Sequence, residues 1–239
     1  MKQASGNSFT DEQPILSACD IHREFTTADG LLPVLKGITL KLRRGEMAAI
    51  TGASGVGKST LLHILGGLDK PTRGTVTVSE VTFHDRSEQA LARFRNEKVG
   101  FVFQHHYLLD DFSALENVMI PLILAGKSKS AAEEKAELIL HEIGLTDRKK
   151  HRPRELSGGE QQRVAVARAL ANDPEIVLAD EPSGNLDTTT GRQLHELLFR
   201  LNSQGSISFL IATHNRELAG SCEREHRMVD GRLSDYESR

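Results

Sequence analysis

Apolar residues in this chain recur with two different periods. Compact apolar runs at Met47–Thr51, Val99–Phe103, Ile176–Ala179 and Ile207–Ala212 have the look of strands covered on both faces of a sheet. Elsewhere the spacing is three and four, which predicts helices. Leu61, Leu62 and Leu65 form one such face; Ala132, Ala136, Ile139, Leu140 and Ile143 form another, with Gly144 as its stop. Leu194, Leu197, Leu198 and Leu201 form a third, within Thr190–Leu201. Ile15–Phe25 and Val34–Leu42 mix apolar and polar positions and read as short strands. Gly74–Phe83 reads as a hairpin, although Ser79-Glu80 is a weak turn sequence beside Asn-Gly.

Ser113-x-x-Glu116 and Ser130-x-x-Glu133 both carry capping-box spacing. With the helical face that follows, they predict a helical lobe over about 107–154, inserted into an α/β core. The alternation of strands and helices predicts a mainly parallel sheet with right-handed crossovers. Residues 1–13 are polar and predict a disordered tail; 14–239 predict a single domain.

Composition narrows the function. With 38% hydrophobic residues and 5% aromatics, 239 residues suit one globular domain with an aliphatic core. The net charge of −3 supplies no bulk attraction to nucleic acid, so no nucleic-acid partner is expected. No apolar run approaches the ~20 residues that cross a bilayer, so direct membrane insertion is not expected and any membrane role runs through a partner. The polar start lacks the apolar stretch of a secretion signal, and the chain is expected in the cytoplasm. Cys19 and Cys222 have no ligand-like spacing and suggest a reducing compartment. His105-His106 would point apart in a strand and predict no transition-metal site.

Gly52-Ala53-Ser54-Gly55-Val56-Gly57-Lys58-Ser59 fits G-x-x-x-x-G-K-[ST], between an apolar run and a helical face. Glycines there let successive backbone N–H groups face a phosphate, and the helix start adds its positive end. Lys58 would reach the β- and γ-phosphates, Ser59 would ligate Mg²⁺, and Thr60 would sit near the α-phosphate. Asp180 and Glu181 follow Ile176–Ala179, placing Asp180 for the magnesium shell and Glu181 as the base for an attacking water. Gln104 and His214 end two other apolar runs. The first offers an amide oxygen to Mg²⁺ or the water, the second a ring donor to the γ-phosphate. Phe25 either stacks on adenine or fills a core. The stretch from Leu156 to Leu170 opens with small residues at a helix start, suited to capping a phosphate from the other side.

These motifs, in this order, resemble the ATP-binding cassette ATPases, from about Ile15 to Leu233. The resemblance implies the fold of those P-loop NTPases: a mainly parallel core sheet, a peripheral antiparallel β-subdomain and an inserted helical subdomain. It implies ATP and Mg²⁺ as ligands, with Ser59, Gln104 and Asp180 at the metal. It also implies a head-to-tail homodimer, in which Ser157, Gly158, Gly159 and Glu160 of one copy contact ATP held by the other. Ser183, Gly184, Asn185, Leu186 and Asp187 would form the dimer-contact loop, and His214 the switch histidine. Gly66–Asp69, His105–Val118 and His151–Leu156 look like the ATPase subunits of bacterial lipoprotein-releasing transporters. Two integral-membrane permease subunits and the cytoplasmic face of the inner membrane follow from that branch. Macrolide or peptide exporters and a cell-division complex belong to the same wider group. Phe25 stands where tyrosine is commoner, Ser183 where threonine is, and Asn215 where aspartate is.

Overall fold

The computed structural model describes residues 13–28, 30–205 and 207–236; of the tail expected at 1–13, all but Gln13 falls outside the described residues. The chain opens with β1 (Leu16–Thr27) and β2 (Gly30–Leu42), then β3 (Met47–Thr51) and α1 (Lys58–Leu65). β4 (Arg73–Val78) and β5 (Val81–Thr82) follow, and then α2 (Glu88–Lys98) and β6 (Val99–Val102). α3 (Ala114–Leu124), α4 (Lys129–Glu142) and α5 (Gly158–Leu170) make up the helical region. The core returns with β7 (Ile176–Asp180), α6 (Thr188–Gly205), β8 (Ser208–Ala212), α7 (Arg216–Gly220), β9 (Arg224–Val229) and β10 (Arg232–Tyr236).

Two sheets result. The smaller is antiparallel, in the order β2-β1-β4-β5; the larger runs β10-β9-β3-β8-β7-β6 and is parallel except for β10. Alternation along the central strands divides the core in two. Met47, Val102, Val177, Ala179, Phe209 and Ile211 face the helical side with α3–α6. Ala48, Ile50, Ile176, Leu178, Leu210 and Ala212 face α1 and the antiparallel sheet. Each fully buried Val, Leu, Ile, Phe or Met side chain in these layers contributes about 1.5–3 kcal/mol relative to exposure. All the parallel strands point their carboxyl ends to one edge, where ligands of such sheets collect.

Three expectations need correction or completion. The helix after Ser130 starts earlier: Ser128 is the cap of α4, its hydroxyl accepting from the Ala131 N–H, so Ser130 lies inside the helix. Ser128 is equally suited to capping and sits one residue before Lys129. α2 was not expected, because Leu91 is its only buried residue. β9 and β10 extend the sheet past β8. The Ser113 box stands as read, and Gly144 ends α4 with a left-handed φ of +73°. The Leu145 N–H reaches back to the Leu140 carbonyl at 2.8 Å, closing that helix end.

The hairpin turn forms without glycine. Ser79 and Glu80 both take positive φ, +46° and +67°, between the paired Val78 and Val81. The Ser79 N–H bonds the Ile15 carbonyl at 2.9 Å and its hydroxyl donates to Glu175 at 3.0 Å. These bonds offset the backbone cost. Among the described residues no helix is long and apolar enough to cross a membrane.

Candidate functional site

The glycine loop leaves β3 at Thr51 and enters α1 at Lys58. Gly52, Gly55 and Gly57 all adopt positive φ. A Cβ on Gly52 would stand 2.4 Å from the Met228 carbonyl oxygen, so the loop needs glycine there to pass beside β9. No side chain caps α1, which leaves its first N–H groups free to face a ligand. Ala53, Ser54 and Gly55 form the exposed crest, Val56 packs partly on the core, and Ser59 and Thr60 sit in the first helical turn. Lys58 is buried; its Nζ donates to the carbonyls of Gly52 (2.9 Å) and Ala53 (3.1 Å) and lies 3.7 Å from Glu181 Oε1.

Asp180 and Glu181 leave the end of β7 directly opposite this loop. Burial pushes the Asp180 carboxyl pKa up, while a hydrogen bond with Ser59 acts the other way. Its Oδ1 is buried with no hydrogen-bond partner. An orphaned carboxylate oxygen beside a serine hydroxyl is a donor set that fits a hard divalent cation such as Mg²⁺. Glu181 holds a left-handed φ of +46°, a conformation costing about 1–3 kcal/mol in a non-glycine residue. Its N–H is anchored to the Ala212 carbonyl at 2.8 Å. The strained turn aims its carboxylate at the loop: Oε2 accepts from the His214 N–H at 3.1 Å and lies 2.9 Å from His214 Nδ1. The Glu181 side chain is 14% exposed and that of His214 68%. The carboxylate is enclosed and the histidine looks outward.

Gln104 follows β6 and is tied to the loop after Glu181. Its Nε2 donates to Asn185 Oδ1 at 3.1 Å, and Asn185 Nδ2 donates back to the Gln104 carbonyl at 3.0 Å. Ser183 Oγ lies 2.8 Å from Nε2 of the buried His195. Gly184 passes over Gln104, where a Cβ would be 3.0 Å from its Nε2. Leu186 lies beside Gly158, and Asp187 caps α6 by accepting from the N–H groups of Thr189 and Thr190.

Ser157 caps α5. Its hydroxyl donates to Glu160 Oε2 at 2.9 Å and accepts from the Glu160 N–H at 3.3 Å. The Ser157 N–H, followed by the Arg148 guanidinium, holds the Glu160 carboxyl pKa down at about 2. Gly159 is pressed against Thr190, whereas Gly158 is open. Among the described residues no hydrogen bond or ion pair joins Ser157–Glu160 to Gly52–Thr60. Phe25 is 37% exposed, paired across the strands with Leu32, and carries the Arg23 guanidinium 4.5 Å above its ring.

The structure thus brings Lys58, Ser59, Asp180, Glu181 and His214 together, links Gln104 to Asn185, and keeps Ser157–Glu160 on a separate surface. Sequence reasoning missed Gln162, whose buried Nε2 donates to the Phe103 carbonyl at 2.9 Å, next to Gln104. Its spacing of three from Gly159 and four from Val166 puts an amide on the buried face of α5, a readable signal. His195 was missed as well, hidden among the leucines of α6.

A family model described as ABC transporter matches residues 35–184. The chain belongs to the ABC transporter family. This ABC ATPase is 49% identical over 214 residues to the lipoprotein-releasing system ATP-binding protein of Syntrophus aciditrophicus, covering 90% of this chain and 96% of that one. It is 52% identical over 208 residues to the protein of the same description from Bacteroides thetaiotaomicron, covering 87% and 95%. Among solved structures, a dimeric ATP-binding cassette in a post-hydrolysis state with ADP and Pi superposes with a TM-score of 0.86 at 37% identity, covering 93% of this ABC ATPase and 97% of that chain.

Proposed function

We propose that the chain hydrolyses ATP as one half of a head-to-tail homodimer, driving a bacterial lipoprotein-releasing transporter from the cytoplasmic face of the inner membrane. The observation that carries hydrolysis is the enclosed Glu181 carboxylate, held between His214 and Lys58. Lipoprotein as cargo rests on the relatives named for that system.

In this reading Lys58 and the loop N–H groups bind the β- and γ-phosphates of ATP, and Phe25 stacks on its adenine. Ser59, Asp180 and Gln104 would hold Mg²⁺, which supplies charge neutralisation on the phosphates when bound. Glu181 accepts the proton of the attacking water, and its hydrogen bonds to His214 fix the carboxylate's direction. In this reading the His214 ring donates from Nε2 to a phosphate oxygen. Hydrolysis removes the γ-phosphate that this donor holds.

Ser157 of the second copy completes the grip. Its hydroxyl hydrogen is committed to Glu160, so reaching a phosphate means exchanging a carboxylate oxygen for a phosphate oxygen. The loop Ser183–Asp187 sits between Gln104 and Gly158, a placement suited to sensing the other copy. Two membrane permease subunits would dock on the groove between core and helical region. That groove is lined by Leu68, Phe101, Phe103 and Pro121, with Tyr107 exposed beside Phe103.

Glu181→Gln should keep ATP binding and lower hydrolysis by ~10²–10⁴-fold. It should also accumulate as an ATP-loaded dimer in size-exclusion chromatography. Turnover at the wild-type rate overturns the base assignment. Purification from membranes should bring down two permease subunits; their absence overturns the transporter reading.

A further inference from the structure

A cavity of ≈ 490 Å³ opens between the end of β3 and the side of β9, lined by Gly52, Ala53, His214, Arg216, Arg227 and Glu225. Arg227 is the register partner of Thr51, and Arg216 follows His214 by two residues at the start of α7. Neither guanidinium has a hydrogen-bond or ion-pair partner among the described residues. Nearby arginines are paired: Arg192 lies 3.1 Å from Glu217 and Arg224 lies 2.8 Å from Glu46. The single carboxylate of the lining, Glu225, already accepts from the Thr51 hydroxyl at 2.6 Å. The cavity therefore carries two unspent cations in a chain of net charge −3.

Its location gives those cations a use. Gly52 and Ala53 form the start of the phosphate loop, and their carbonyls hold Lys58. His214 is bonded to Glu181. The cavity thus shares Gly52, Ala53 and His214 with the surroundings of the Glu181–Lys58 contact. A guanidinium is a planar fork of donors that matches a tetrahedral oxyanion two oxygens at a time.

We propose that this cavity is an oxyanion pocket in which Arg216 and Arg227 receive the inorganic phosphate cleaved from ATP as it leaves the site. The proposal rests on the hydrolytic reading above for the source of the phosphate, but not for the pocket itself. Arg216 and Arg227 lie on the rim and need not touch bound ADP. Their loss therefore weakens the product anion and leaves the nucleotide alone.

The test is titration of the full chain with inorganic phosphate by calorimetry, with and without saturating ADP to fill the loop. In the presence of ADP, the R216A/R227A variant should bind phosphate roughly tenfold more weakly than wild type, the effect of losing two charge-assisted contacts. Added phosphate should inhibit its steady-state hydrolysis correspondingly less, and ADP affinity should stay within about twofold. The control R86A/R93A removes the same charge from exposed sites elsewhere and should bind phosphate as wild type does. Equal phosphate affinity in wild type and R216A/R227A overturns the pocket, as does an equal loss in the control, which would make the effect bulk electrostatics. Failure of the wild type to bind ADP or cleave ATP instead sinks the hydrolytic reading. The titration without ADP then still decides the pocket by the same comparison.

Discussion

The glycine loop and the start of α5 are built in opposite ways. At the glycine loop, the cation is buried, bonded to two backbone carbonyls and set against a carboxylate, and the loop runs so close to β9 that Gly52 has no room for a Cβ. At the start of α5, Ser157 and Gly158 lie exposed, and the serine hydroxyl is held by a neighbouring side chain. One end is fixed by backbone geometry and is complete within the chain. The other is fixed by an exchangeable bond and faces outward. That contrast suits the two-copy clamp proposed above, in which only the cap must let go.

Breaking the cradle should have the larger effect. Gly52→Ala forces a Cβ against the Met228 carbonyl; displacing the loop should cost about 1–3 kcal/mol of stability and abolish ATP binding. Thermal melts and a fluorescent-nucleotide titration would show both, and unchanged nucleotide affinity would contradict the cradle's rigidity. The same substitution at the cap should separate folding from assembly. A Cβ on Gly158 meets nothing nearer than Leu186 at 3.7 Å, so Gly158→Ala should melt within about 0.5 kcal/mol of wild type. It should nonetheless weaken ATP-driven dimerisation by roughly tenfold, about 1.4 kcal/mol, in sedimentation. Normal dimerisation would place the second copy's contact elsewhere.

Glu160→Gln gives the smallest effect and adds a pH signature. The Glu160 pKa is about 2 in the fold, against about 4.3 for a free carboxyl, so its contribution is complete above the unfolded value and is lost as pH falls through the folded one. The variant should be less stable by about 1 kcal/mol at pH 7, a typical cap contribution. Denaturant titrations should show that difference shrinking as pH falls from about 4.3 toward 2. A difference independent of pH would mean that packing, not charge, is what Glu160 supplies.

Local chemistry made the cradle readable: β3 ends at Thr51 and α1 begins at Lys58, as the apolar run and the glycine pattern require. β7 and β8 were readable for a similar reason, each carrying four consecutive apolar residues. α2 was not, because one buried leucine in eleven residues leaves no stripe to detect. β9 hid behind its charges; His226 and Met228 are its buried positions, with the exposed Arg227 between them. The Gln104–Asn185 pair and the bond from Gln162 to Phe103 join residues far apart in the chain. Such pairings follow from how loops meet in space, which no spacing rule encodes. The same holds for Arg216 and Arg227, each unremarkable until β9 sets one beside the loop and α7 brings the other to it.

α5 is fastened to the stretch that carries Gln104 by more than packing. Gln162 holds the carbonyl of Phe103, and Arg168 holds those of His106 (2.7 Å) and Tyr107 (2.6 Å). Three rivets along one rod leave little slack between them. A displacement of that rod therefore carries the residue next to Gln104 with it, and bending is easier outside this riveted piece than within it.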